Sequence, residues 1–79
     1  KMKNFNIKTF GMLAEKLSAS EFKFLYCENS EALRKALEDE YPQLKSLNFS
    51  IAVDKQVIQE KTSLNGNEEI ALLPPFSGG

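Results

Sequence analysis

The run Ile70-Ala71-Leu72-Leu73 constrains the fold more than any other stretch of the chain. Four apolar residues follow one another without alternation, between Glu69 and Pro74-Pro75. A short continuous apolar run predicts a strand that is central in its sheet and buried on both faces. Asn65-Gly66-Asn67, just upstream, is a turn signal in which Gly supplies positive φ, with Leu64 as its anchor. Proline cannot donate to a sheet ladder, so the strand should end where Pro74 begins.

The remaining chain supplies partners for that strand. From Met2 to Thr9, Phe5 and Ile7 point one way and Asn4, Asn6 and Lys8 the other, the period of a strand. Phe10, Leu13, Ala14 and Leu17 then fall on one face of a short helix. Glu21 to Cys27 alternates again, with Phe22, Phe24 and Tyr26 on one face. Asn29 or Ser30 can cap a second helix, whose stripe is Leu33, Ala36, Leu37 and Tyr41, and Pro42 ends it. Leu44 and Leu47 tuck a connection onto the core. Phe49, Ile51 and Val53 mark a third strand, Asp54-Lys55 a tight turn, and Gln56-Val57-Ile58 a short edge strand. Gln59 to Ser63 is polar and expected to be solvated. About five strands and two helices, with helices over one sheet face, make a two-layer α+β domain.

A chain of 79 residues is expected to be one domain, 1–79. A domain this small buries only about 60–65% of its unfolded surface, so its stability is modest. Hydrophobic residues are 42% and charged residues 27%, the balance of a soluble globule. No signal peptide or membrane span is expected, because no apolar block is long enough. Lys1 ahead of Met2 reads as a residue left by cloning. A net charge of -1 gives no reason to expect nucleic acid as a partner.

Absent residue types narrow the chemistry further. With no histidine there is no Ser-His triad and no imidazole ligand, and no metal site is expected. Cys27 stands alone, so no intramolecular disulfide or CxxC site forms. A reducing, cytoplasmic setting fits. Cys27 itself reads as a small buried hydrophobe, since Lys23 is its only close cation. Glu68 and Glu69 read as solubilising rather than catalytic, and Lys3, Lys55 and Lys61 as ordinary surface charge.

The functional signal lies after the last strand, in the segment 73–79. Pro74 and Pro75 stiffen the chain, and Phe76-Ser77-Gly78-Gly79 finishes in two residues without Cβ atoms. A thin tip carrying the Gly79 carboxylate suits a group threaded into another protein's active site and modified there. The alternative is a frayed terminus, where small residues also collect.

The stretch from Leu64 to Gly79 resembles the C-terminus of the small subunit of molybdopterin synthase, within the ThiS/MoaD family of ubiquitin-like sulfur carriers. The shared features are a Leu, a Gly-containing turn, an acidic residue, an apolar strand, a double proline and Gly-Gly. Phe10-Gly11-Met12-Leu13-Ala14-Glu15-Lys16 is similar to the family's first helix, so the likeness spans essentially the whole chain. Phe76 departs from it, since the family more often has a smaller aliphatic residue there.

The resemblance implies a ubiquitin-like β-grasp fold, with the first and last strands side by side in a mixed sheet. It implies that an E1-like activating enzyme uses ATP to adenylate Gly79, the chain itself binding no cofactor. Sulfur transfer then gives a thiocarboxylate. The tail, Pro74 to Gly78, inserts into the large synthase subunit, where the sulfur passes to cyclic pyranopterin monophosphate. It also matches Phe10, Val57 and Leu73 to an apolar patch facing partners; the alternative is that they are core. Phe76 is a candidate anchor in the partner. Three other readings stay open: a carrier for thiazole formation in thiamin synthesis, a modifier joined through Gly79 to lysines of targets, and an unrelated β-grasp binding module.

Overall fold

In the computed structural model, residues 3–75 are described. The elements run β1 (Asn4–Thr9), α1 (Met12–Leu17), β2 (Glu21–Leu25), α2 (Ser30–Glu40), a 3-10 turn over Pro42–Ser46, β3 (Ser50–Val53), β4 (Gln56–Ile58) and β5 (Glu69–Leu73). They build one five-stranded sheet in the order β2-β1-β5-β3-β4. β1 and β5 lie side by side and parallel, while the β1–β2, β3–β5 and β3–β4 pairs are antiparallel. This mixed sheet with two helices is the ubiquitin-like β-grasp.

The alternation in β1 explains its burial: Phe5 and Ile7 are buried, while Asn4 and Asn6 are exposed. Phe5, Ile7, Ile51, Ile70 and Leu72 from the sheet join Leu13 of α1, Leu33 and Leu37 of α2, and Leu44 of the 3-10 turn in one core. Asn29 caps α2, its side chain accepting from the Ala32 amide at 2.9 Å. Ser30, the other cap candidate, is buried; its hydroxyl accepts from the Thr62 amide at 2.8 Å. Part of the polar stretch 59–63 is thereby tied to the helix rather than left to solvent.

Several boundaries and one burial pattern differ from the sequence reading: β2 ends at Leu25 rather than Cys27, and β3 begins at Ser50 rather than Phe49. β1 starts at Asn4, and Met2 lies outside the described residues. Phe10 does not belong to α1, because Gly11 takes φ 60 and ψ -135 and breaks the chain direction before Met12. β5 is central, as its apolar run predicts, but it is not buried on both faces. Ile70 and Leu72 are buried, whereas Ala71 and Leu73 are half-buried on the far side. Both helices supply the core face, and the described chain leaves the other face open at this strand.

Candidate functional site

The open face of β5 is the floor of the candidate site. Register places Lys8 beside Ala71, Ala71 beside Ala52, and Ala52 beside Val57, one row across four strands. Two adjacent alanines at the middle of that row leave room that larger side chains would fill. The result is a depression of about 340 Å³. Phe10, Val57 and Leu73 line it together with the two alanines. Phe10 is 48% exposed and Val57 45% exposed, and Leu73 is half-buried. All three therefore lie outside the core, and the fold gathers them into one patch. Exposed apolar side chains grouped in this way mark an interaction surface more often than scattered ones do.

The rim is charged. Lys8 Nζ lies 3.1 Å from a Glu69 carboxylate oxygen, with both side chains well exposed. Lys55, also on the rim, sits in the β3–β4 turn. Asp54 and Lys55 both have positive φ, 50 and 72. Asp54 fixes this turn to the start of β5: its amide donates to the Glu69 carbonyl at 2.8 Å, and the Glu69 amide donates to Asp54 Oδ1 at 2.9 Å. Val57 is carried on the hairpin so pinned.

Beyond Leu73 the chain stays on the body for one more residue. Leu73 is still paired with Ser50, and Pro74 is buried. Pro74 rests against Gly11, where an added Cβ would stand 3.1 Å from Pro74 Cγ. Pro75 is exposed. The remaining residues expected in the tail, Phe76, Ser77, Gly78 and Gly79, lie outside the described residues.

Other titratable groups serve the fold. The Glu68 carboxylate accepts from the Asn65 amide at 2.8 Å and the Gly66 amide at 2.9 Å. Burial raises its pKa, but the surrounding backbone amides outweigh this and hold the carboxyl below its ordinary value. Glu68 is thus the clamp of the Asn65–Asn67 turn rather than a solubilising charge. Cys27 is half-buried just past β2, and burial pushes its thiol up, away from the reactive thiolate. A second depression of about 280 Å³ lies beside α2. Its Arg34 is already engaged, with the guanidinium donating to the Phe49 carbonyl at 2.6 Å and stacked 4.1 Å from the Phe49 ring centre. No helix of the described chain is long and apolar enough to cross a membrane.

Sequence reasoning missed Ala52, Ala71, Gly11 and Lys55 as parts of the site. Ala71 was hidden because a small residue inside an apolar run looks like more core. The Asp54-Lys55 turn was legible, but its place at the rim depends on strand order.

Comparison with known proteins agrees with this architecture. The small archaeal modifier protein 1 of Methanosarcina acetivorans superposes with a TM-score of 0.78 at 25% identity, over 100% of this chain and 99% of that one. The protein of the same name from Haloferax volcanii gives 0.75 at 20% identity, over 96% and 99%. The sequence profile described as the ThiS family matches residues 7–79. That span includes the second half of β1, the site and the Gly-Gly segment, and the chain belongs to the ThiS family.

Proposed function

We propose that this protein is a sulfur carrier that works through the Gly79 carboxylate, and that it serves as the small subunit of molybdopterin synthase. The observation that carries the reading is the apolar depression at the end of β5. Phe10, Val57 and Leu73 stand beside the point where the chain leaves the sheet. A protein seated there receives the Gly-Gly segment with its own catalytic groups in reach.

The chemistry needs such a partner. A carboxylate is a poor electrophile, because its charge repels nucleophiles and its oxygen leaves badly. An E1-like enzyme uses ATP to convert the Gly79 carboxylate into an acyl-adenylate, with pyrophosphate released. A sulfide-equivalent nucleophile then displaces AMP and leaves a terminal thiocarboxylate. Of the tail expected to insert, Pro74 to Gly78, Pro74 is buried on the body; the large synthase subunit takes up the rest, and the sulfur passes to cyclic pyranopterin monophosphate. Glycine at 78 and 79 keeps the acyl centre uncrowded. This chain binds no cofactor in the scheme; ATP belongs to the activating partner. A reducing, cytoplasmic setting suits the thiocarboxylate.

The likeness to small archaeal modifier protein 1 favours a second reading, in which activated Gly79 is joined to lysines of other proteins. Tandem mass spectrometry of the C-terminal peptide, after incubation with ATP, a sulfur source and an E1-like enzyme, tests both. Sulfur on Gly79 supports the carrier, and dithiolene formation with the large subunit then separates molybdopterin synthesis from thiazole formation. Isopeptide adducts support the modifier. Intact mass is insufficient, since oxidation of Met2, Met12 or Cys27 adds nearly the mass gained when sulfur replaces oxygen. An unmodified Gly79 with an enzyme shown to be active overturns the reading.

A further inference from the structure

Lys55 is out of place as a turn residue. The β3–β4 connection has two residues, and both have positive φ. Two-residue hairpin turns of that kind favour Asn or Asp first and Gly second. Asp54 meets the first preference. Lys55 fails the second: at φ 72 its Cβ crowds the backbone, which costs stability that glycine would not. Residues that break a local rule gather where a side chain is needed for something other than folding.

The surroundings of Lys55 say what that is. It is exposed and lines the same depression as Phe10, Val57 and Leu73. The other rim lysine, Lys8, is occupied by Glu69 at 3.1 Å. No carboxylate among the described residues lies within ion-pair distance of Lys55. The rim thus offers one ammonium, raised on a rigid turn, beside an apolar hollow floored by alanines. We infer that Lys55 reads the partner: its ammonium pairs with a carboxylate on the activating enzyme, next to an apolar side chain of that enzyme seated in the depression. The inference rests on the proposed function, because it takes the depression to be where that enzyme docks.

The test is ATP–pyrophosphate exchange by an E1-like enzyme with the full chain as substrate, alongside thermal unfolding. Lys55→Gly and Lys55→Asn relieve the strained turn and should raise the melting temperature. The same variants should raise KM for the carrier about three-fold, as loss of a rim ion pair does, and leave kcat unchanged. Lys55→Glu should raise KM about ten-fold, because it sets like charges together. Wild-type KM should climb with salt, and that of Lys55→Gly should stay nearly flat. A purely structural Lys55 predicts instead that the stabilised variants keep wild-type KM, and that result overturns the inference alone. No exchange with wild-type chain, while the enzyme activates its own substrate, overturns the proposed function and the inference together.

Discussion

Gly11 and Pro74 meet across the end of the parallel β1–β5 pair, with only 3.1 Å between Pro74 Cγ and the position of a Cβ on Gly11. The absence of a side chain at Gly11 lets the first proline after β5 bed down onto the body. Gly11 has a second reason to be glycine, since φ 60 with ψ -135 is closed to residues with a Cβ. Gly11→Ala should cost on the order of 1–3 kcal/mol. For a chain of this size each kcal/mol lowers the melting temperature by about 4–8 °C. Far-UV circular dichroism suits the measurement, since the chain has no Trp. Pro74→Ala keeps the backbone of β5 and loses only the packing, so it should cost less than Gly11→Ala. An equal or larger cost for Pro74→Ala would mean the constraint lies in the proline and not in the glycine.

The fold was legible because the strand periods are clean where one face meets the core. Phe5 and Ile7 gave away β1, and the Leu33/Leu37 spacing gave away α2. β5 was legible as a central strand, yet its apolar run concealed a surface. Ala71 and Leu73 face the open side, and an apolar residue on an interface has the same chemistry as one in a core. Only strand order decides between the two, because it sets Ala52 beside Ala71 and Val57 beside Ala52. The same limit hid Gly11: its glycine is explained by Pro74, which is 63 positions away in sequence.

The patch should separate stability from recognition. Phe10 and Val57 are each about half exposed, so replacing either removes little core packing. Phe10→Ala and Val57→Asp should keep the urea midpoint close to wild type. Each should weaken binding of a partner seated in the depression by about ten-fold or more, the cost of losing a central apolar anchor. Isothermal titration with the activating enzyme or the large synthase subunit reads it. Unchanged affinity in both variants would rule out this face as the docking surface.

Glu68 predicts a pH dependence of folding. Its carboxyl titrates below its ordinary value in the folded chain. The unfolded chain therefore takes up the proton first as pH falls. The stabilisation is present in full above the ordinary carboxylate pKa, near 4.3, and is lost as pH drops through the lower folded value. Glu68→Gln should thus be less stable than wild type at pH 7, by roughly 0.5 kcal/mol for a contact screened by solvent. The gap should narrow as pH falls below the ordinary carboxylate range and through the lower folded value. Urea unfolding of both proteins across that range measures it. A gap that persists unchanged in acid would show that shape, not charge, holds the Asn65–Asn67 turn.

Cys27 separates two sources of the sulfur chemistry. Its thiol is half-buried and pushed up by burial, so little of it is thiolate at neutral pH. Cys27→Ala should accept sulfur at Gly79 as wild type does, read by mass spectrometry of the C-terminal peptide. A folded Cys27→Ala protein that no longer carries sulfur would move the carrying atom from the terminus to this side chain.

The terminal carboxylate gives the sharpest expectation, since the proposed scheme requires a free carboxylate on Gly79. Extending the chain past Gly79 turns the reacting carboxylate into an amide, which ATP cannot convert to an acyl-adenylate. Removing Gly79 leaves a carboxylate one residue short, about 3.8 Å from where the activating site expects it. The core is built from residues between Phe5 and Leu72, so neither change should move the melting temperature. Both should abolish sulfur loading, because misplacing a reacting group by even 1 Å can cost about a hundred-fold in rate. Loading should return when a protease trims the extended chain back to Gly79. If an untrimmed extension still supports cofactor synthesis, the sulfur does not travel on Gly79 and the proposed function fails.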